Sequence, residues 1–288
     1  MLNNTSYIVY FFVAQFFLVH ILNAEELHHI DTNNRSMLLE HYNEFTQNTP
    51  DFEREERIIS EIEESVMDGD VEYLTLPNGK EVFSIYTESE LDDSKGGAIV
   101  LHSRGYHANW SSVVKPVRVG LTEMGWNTLS VQMPVLEKDA KYYDYVPIFP
   151  YAHERIRSAI DFLKEQDITN IVIVAHGCGA HMSMSYIDKY GDSDISAYVG
   201  IGIGATDYKQ KIIKPFPLAK MGSPVLDIFG EKDFPGVIRL SKERTAELSK
   251  GNRHNAQLSI QRADHYYKEG DTVDVLIESI GEWLDSIN

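Results

Sequence analysis

Residues 168–180 read Ile168-Thr169-Asn170-Ile171-Val172-Ile173-Val174-Ala175-His176-Gly177-Cys178-Gly179-Ala180. A nearly unbroken β-branched run ending in a turn of small residues predicts a strand buried on both faces, Ile168 to Ala175, that feeds a helix over Ala180 to Tyr190. The same rhythm extends in both directions. Upstream, strands are expected over Gly97–His102 and Trp126–Met133, with helices over Val113–Met124 and Tyr151–Gln166. Downstream, strands are expected over Ala197–Gly202, Val225–Gly230 and Ala256–Ile260, with helices over Val237–Ser249 and Thr272–Ile287. Strands separated by helices of ten or more residues imply right-handed crossovers and a mostly parallel α/β sheet with helices on both faces. Ahead of it, Val71–Leu76 and Glu81–Tyr86 flank Pro77-Asn78-Gly79-Lys80, an Asn-Gly hairpin that would form an antiparallel edge. Two long connections, Pro134–Pro150 with its three tyrosines and the Lys-rich Ala205–Ser223, are expected at the functional edge of the sheet, where they would shape a small lid.

Charge limits the partners. The 26 Lys and Arg against 44 Asp and Glu give a formal net charge of −18, a surface that repels phosphate backbones, so no nucleic-acid partner is expected. One cysteine among 288 residues excludes an internal disulfide and thiolate metal clusters. A mean hydropathy of −0.28 excludes a polytopic membrane protein. The one strongly apolar stretch, Tyr7 to Leu22, precedes Asn23-Ala24 and reads as an export signal over residues 1–24, cleaved after Ala24. The mature chain is then expected to be periplasmic or secreted, with no membrane association after cleavage. Residues 25–70 form a polar N-terminal extension, in which Ile58, Ile59, Ile62 and Val66 mark one amphipathic helix, and residues 71–288 form the α/β domain.

In parallel sheets chemistry collects at the carboxyl ends of strands, so the informative residues are those just past each apolar run. Three such places stand out: the His176-Gly177-Cys178-Gly179-Ala180 turn, Asp233 in Phe229-Gly230-Glu231-Lys232-Asp233, and His265 in Ala263-Asp264-His265-Tyr266. Turn, then acid, then histidine is the chain order of the α/β-hydrolase triad, and from Val71 to the C-terminus the chain resembles that fold. More narrowly, Arg104-Gly105-Tyr106-His107-Ala108-Asn109-Trp110, Met124-Gly125-Trp126-Asn127-Thr128-Leu129-Ser130 and the 176–180 turn are similar to a bacterial family of exported hydrolase-like proteins of unassigned function. The resemblance implies the fold, ancestral ester or related acyl hydrolysis, and a small-molecule or acyl ligand. On the hydrolase elbow pattern, however, Gly177 stands where the attacking serine belongs.

Glycine has nothing to attack with, yet it suits a strained elbow at no steric cost. Three readings stay open. Cys178 is a displaced nucleophile, its thiolate favoured by a helix N-terminus, or a small buried hydrophobe. Ser103, after the third strand where hydrolases place oxyanion donors, faces the same pocket and takes over the attack, or His265 and Asp233 activate a water for which Gly177 makes room. Alternatively the chain is a retired hydrolase that binds a ligand or protein partner, its His265–Asp233 pair a satisfied polar contact.

Asp207 is the second choice for the acid, because the 32 residues from Asp233 to His265 better accommodate one helix and one strand. Arg104 is expected to meet a carboxylate, from a ligand or from a surface partner, and His176 to orient the elbow. His102, His107, His176 and His181 lack the spacing of a helical metal pair. Gly200-Ile201-Gly202-Ile203-Gly204 lacks a phosphate-loop signature, and no cofactor is expected.

Overall fold

The computed structural model describes residues 49–287. The chain divides into a unit of residues 1–47 and a second unit, Asn48–Asn288. The expected export signal and most of the extension lie outside the described residues. Among those described, no helix is long and apolar enough to cross a membrane.

The described chain opens with helix α1 (Phe52–Ile62), capped by the Asp51 carboxylate accepting from the Arg54 N–H. Strands β1 (Asp70–Thr75) and β2 (Glu81–Thr87) form the hairpin. There follow β3 (Gly96–Leu101), α2 (Val114–Glu123), β4 (Trp126–Val131), a single turn α3 (Tyr142–Tyr145), α4 (Phe149–Glu165), β5 (Ile171–His176), α5 (Cys178–Tyr190) and β6 (Ala197–Ile201). The chain ends with β7 (Val225–Lys232), α6 (Pro235–Leu248), β8 (Ala256–Asp264) and α7 (Thr272–Ile287). The sheet order is β1-β2-β4-β3-β5-β6-β7-β8; the β1–β2 and β2–β4 pairings at one edge are antiparallel, and the other five are parallel.

Period-two alternation decides what each face carries. In β3 and β5, Ile99, Leu101, Ile171, Ile173 and Ala175 join the core beneath α4 and α5. Their neighbours Ala98, Val100, Val172 and Val174 join the core beneath α2 and α7. These strands are buried along their whole length, so each aliphatic side chain contributes roughly 1.5–3 kcal/mol, and a one-residue register slip would exchange the two cores.

Most element ends shift by a few residues from the sequence expectation, and two departures bear on the site and its support. Helix α5 begins at Cys178 rather than Ala180, so the turn after β5 is tighter than its small residues suggested. Helix α1, expected to belong to an extension, is part of the Asn48–Asn288 unit: Arg155 of α4 donates to Glu55 at 2.9 and 3.2 Å, and the Val135 N–H donates to the same carboxylate at 3.1 Å.

Candidate active site

The end of β5 sets the geometry. Gly177 has φ 53° and ψ −116°, a region that side-chain-bearing residues enter at a cost of about 1–3 kcal/mol, and its N–H donates to Ile201 C=O at 2.8 Å. The chain thus leaves the strand and enters α5 without an intervening loop, the strand–elbow–helix form expected from 168–180.

Two and three strands away, β7 and β8 present the acid and the imidazole. Asp233 Oδ1 accepts from the Phe234 N–H at 2.6 Å and lies 2.7 Å from His265 Nδ1. A carboxylate only accepts, so Nδ1 carries a proton, and in the neutral ring Nε2 is then the nitrogen with the lone pair. Both residues are 4% exposed. The imidazole lies against the Phe234 ring at 4.3 Å and the His176 ring at 4.5 Å, with the Tyr266 edge at 5.2 Å. His176 Nε2 donates to the His265 carbonyl at 3.0 Å, and burial, reinforced by the neighbouring His265, holds its pKa well below the usual histidine value. His176 is therefore a neutral orienting residue. Gly202, at the end of β6, supplies space for the pair: a Cβ there would stand 2.8 Å from His265 Cε1 and 3.2 Å from Asp233 Oδ2. Its only sequence signal was its place as the last residue of the expected Ala197–Gly202 strand.

Ser103 enters from the end of β3. His102 Nδ1 donates to the Ser103 carbonyl at 2.7 Å while its Nε2 accepts from the Met133 N–H at 2.8 Å. Using both nitrogens fixes the ring in its neutral form, and burial lowers its pKa to about 3. So held, Ser103 points its hydroxyl at the elbow, where Oγ accepts from the Cys178 N–H at 3.0 Å. A Cβ built on Gly177 would stand 2.6 Å from Ser103 Oγ and 3.2 Å from His265 Nε2. Gly177 therefore does not vacate room for a water, as one sequence reading had it, because the Ser103 side chain fills that space.

Cys178 departs from the reactive reading. Its side chain lies in the core beneath α4 and α5, and burial, only partly opposed by the Arg104 charge, pushes the thiol up to about 12. The helix N-terminus was expected to lower this value, and desolvation outweighs it.

Arg104 pairs with Asp207, whose Oδ2 also accepts from the Tyr142 N–H at 2.7 Å. Burial raises the Asp207 carboxyl, but the Arg104 hydrogen bond and charge outweigh it and hold the group below the ordinary carboxylate range. Asp207, the second choice for the acid, is thus committed to Arg104. It also links the two long connections, which are joined further by Tyr143 N–H to Gln210 at 3.2 Å, Lys211 N–H to Tyr143 Oη at 2.9 Å and Ile213 N–H to Tyr142 Oη at 3.2 Å. Asp264 accepts from the Tyr266 N–H, while Arg262 pairs with Asp271. No group of three His, Cys, Asp or Glu among the described residues is placed to hold a metal ion.

A mostly parallel eight-stranded sheet, covered on both faces and bearing an elbow, an acid and a histidine past the ends of β5, β7 and β8, has the α/β-hydrolase fold. Solved structures agree on the fold. An esterase from Pyrococcus furiosus is 14% identical, with a TM-score of 0.59 over 79% of this chain and 96% of its own. An alpha-beta serine hydrolase homologue from Coxiella burnetii is 15% identical, TM-score 0.57, over 75% of this chain and 98% of its own. A dienelactone hydrolase from Anabaena variabilis is likewise 15% identical, TM-score 0.57, over 76% and 97%. In sequence, residues 18–144 match a family described as a protein of unknown function (DUF3530). No curated protein matches the chain.

Proposed function

We propose that the protein is an exported ester or related acyl hydrolase acting on a small-molecule acyl substrate, with His265 as general base and Asp233 holding its tautomer. The observation that carries this reading is the 2.7 Å His265 Nδ1–Asp233 Oδ1 contact beside an elbow at φ 53°. A pair that fixes the Nδ1 proton leaves Nε2 aimed at the elbow, where a base must stand to accept the proton of an attacking hydroxyl. The esterases and the dienelactone hydrolase that share the fold bring ester chemistry to this reading. The joined connections 134–150 and 205–223 serve as a small lid over the elbow, and the apolar Tyr7–Leu22 stretch serves export.

The test is turnover of p-nitrophenyl esters of graded chain length by the wild-type protein, His265→Ala and Asp233→Asn. Hydrolysis should fall by about 10²–10⁴-fold in both variants, since each removes proper proton transfer. Equal turnover in His265→Ala, with the fold intact by circular dichroism, overturns the proposal.

A second reading has its own observation. The Cys178 N–H, which in an active elbow is free to bind an oxyanion, donates to Ser103 Oγ instead. On that reading the site binds without reacting, and esters or amides would raise the melting temperature with no product formed.

A further inference from the structure

We infer that Ser103 is the nucleophile of this site, a hydroxyl delivered to the elbow from the end of β3 instead of carried on the elbow itself. The inference rests on the hydrolase reading and names its reacting atom. At an elbow that bears a serine, the attacking oxygen lies one bond beyond Cβ, between the histidine Nε2 and the N–H that opens the helix. Here that Cβ is missing, but the two flanking groups remain: His265 Nε2 stands 3.2 Å from where it would be, and the Cys178 N–H is present. One hydroxyl reaches the same point, Ser103 Oγ, which lies 2.6 Å from it and 3.0 Å from Cys178 N. Gly177 and Ser103 are thus a reciprocal exchange. The glycine keeps the bend and clears the volume, and the serine fills it with the same chemical group. The serine is not carried there by chance packing, because the buried His102 ring holds the Ser103 carbonyl through Nδ1 and is itself fixed by the Met133 N–H at Nε2.

The reaction is acyl transfer in two balanced halves. Ser103 Oγ bonds to the ester carbonyl carbon as its proton passes to His265 Nε2. The Cys178 N–H then turns to the carbonyl oxygen, which carries the negative charge of the tetrahedral intermediate. The carbon–alkoxy bond breaks, His265 returns the proton to the departing oxygen, and an alcohol leaves an acyl ester on Ser103. Water repeats the sequence, giving up a proton to His265, and the carboxylic acid departs with Ser103 regenerated.

The sequence offers a clean readout. Trypsin releases Gly96–Arg104, in which Ser103 is the sole hydroxyl-bearing residue, so mass alone locates a label there. An alkyl fluorophosphonate should add to this peptide, phosphorus bonding to Oγ as fluoride leaves. Labelling and p-nitrophenyl acetate hydrolysis should both drop on the order of 10³-fold or more in Ser103→Ala. Ser103→Cys, which keeps the group's size, should exchange phosphonate labelling for alkylation by iodoacetamide at the same peptide, showing that the site still folds. The exchange variant Ser103→Gly with Gly177→Ser should move the label to the tryptic peptide of residues 165–189. If Ser103→Ala keeps hydrolysis that His265→Ala loses, the nucleophile inference fails while the hydrolase reading stands. If the wild type neither turns over nor labels but the exchange variant does both, Ser103 is a plug and both ideas fall.

Discussion

Replacing Gly177 by alanine tests the packing on which the chemistry depends. The new Cβ must adopt φ 53°, ψ −116°, which costs about 1–3 kcal/mol. It must also occupy a point 2.6 Å from Ser103 Oγ and 3.1 Å from Ser103 Cβ, closer than non-bonded atoms tolerate. The serine has to turn away, and the buried Cys178 N–H loses its acceptor, a further loss of about 1–3 kcal/mol. Gly177→Ala should therefore destabilise the protein by about 2–6 kcal/mol in urea unfolding, with a melting temperature lower by about 5 °C or more. The strain belongs to position 177 alone, whereas the clash is shared. Adding Ser103→Gly should recover about 1–2 kcal/mol relative to the sum of the single changes, in the range of couplings between touching residues. Additivity within about 0.5 kcal/mol would show that the Ser103 side chain does not fill the elbow, and would remove the geometric basis for its attack.

Glu55→Gln leaves Arg155 buried without a counter-charge and should cost about 3–5 kcal/mol of unfolding free energy; a change below about 1 kcal/mol would contradict the contact. Burial lowers His102 and His181 to about 3 and His153 to about 4, and lowers His176 well below its ordinary value. Since unfolding lets each take up a proton nearer its ordinary 6.5, their stabilisation is complete above that pH and is lost as pH falls toward the depressed values, by about 1.4 kcal/mol per unit for each; stability that stays flat from pH 7 to 5 would refute this. The Cys178 thiol, at about 12, is ionised at pH 8 only to a fraction on the order of 10⁻⁴, so Ellman's reagent should react with the native protein far more slowly than with the protein in guanidinium. Asp207→Asn removes the charge that binds Arg104, and should raise hydrogen exchange in residues 141–145 and 205–213 together. Because the folded Asp207 pKa is depressed, that tie should persist above the unfolded carboxylate value and be lost as the solution is acidified through the lower folded one.

Much of this was legible from the chain alone, for reasons specific to each element. Buried parallel strands announce themselves because both faces must be apolar, which is why β3 and β5 fell within a few residues of their expected spans. The His265–Asp233 pairing followed from topology, since β7 and β8 are sequential neighbours and the residues just past them must converge. The placement of Ser103 in the Gly177 slot was not legible. It depends on β3 lying directly beside β5, with a difference of ångströms deciding whether a hydroxyl faces the pocket or occupies the elbow. Of the two readings of Cys178, the structure supports the small buried hydrophobe; the sequence left both open because a helix N-terminus is visible in it and the depth of burial beside that terminus is not. The docking of α1 was hidden in one acidic residue among many, for Glu55 differs from its neighbours only in meeting Arg155 a hundred positions later.

That last contact bears on how the molecule can be shortened. Arg155 is sealed inside by a carboxylate supplied from before the first strand, and Arg54 on the same helix reaches the carbonyl of Gly105, two residues past Ser103, at 3.4 Å. Trimming to Val71, where the strands begin, would strip out a counter-ion and a strut in one cut. The smallest autonomous fold is therefore larger than its sheet and starts ahead of Asp51.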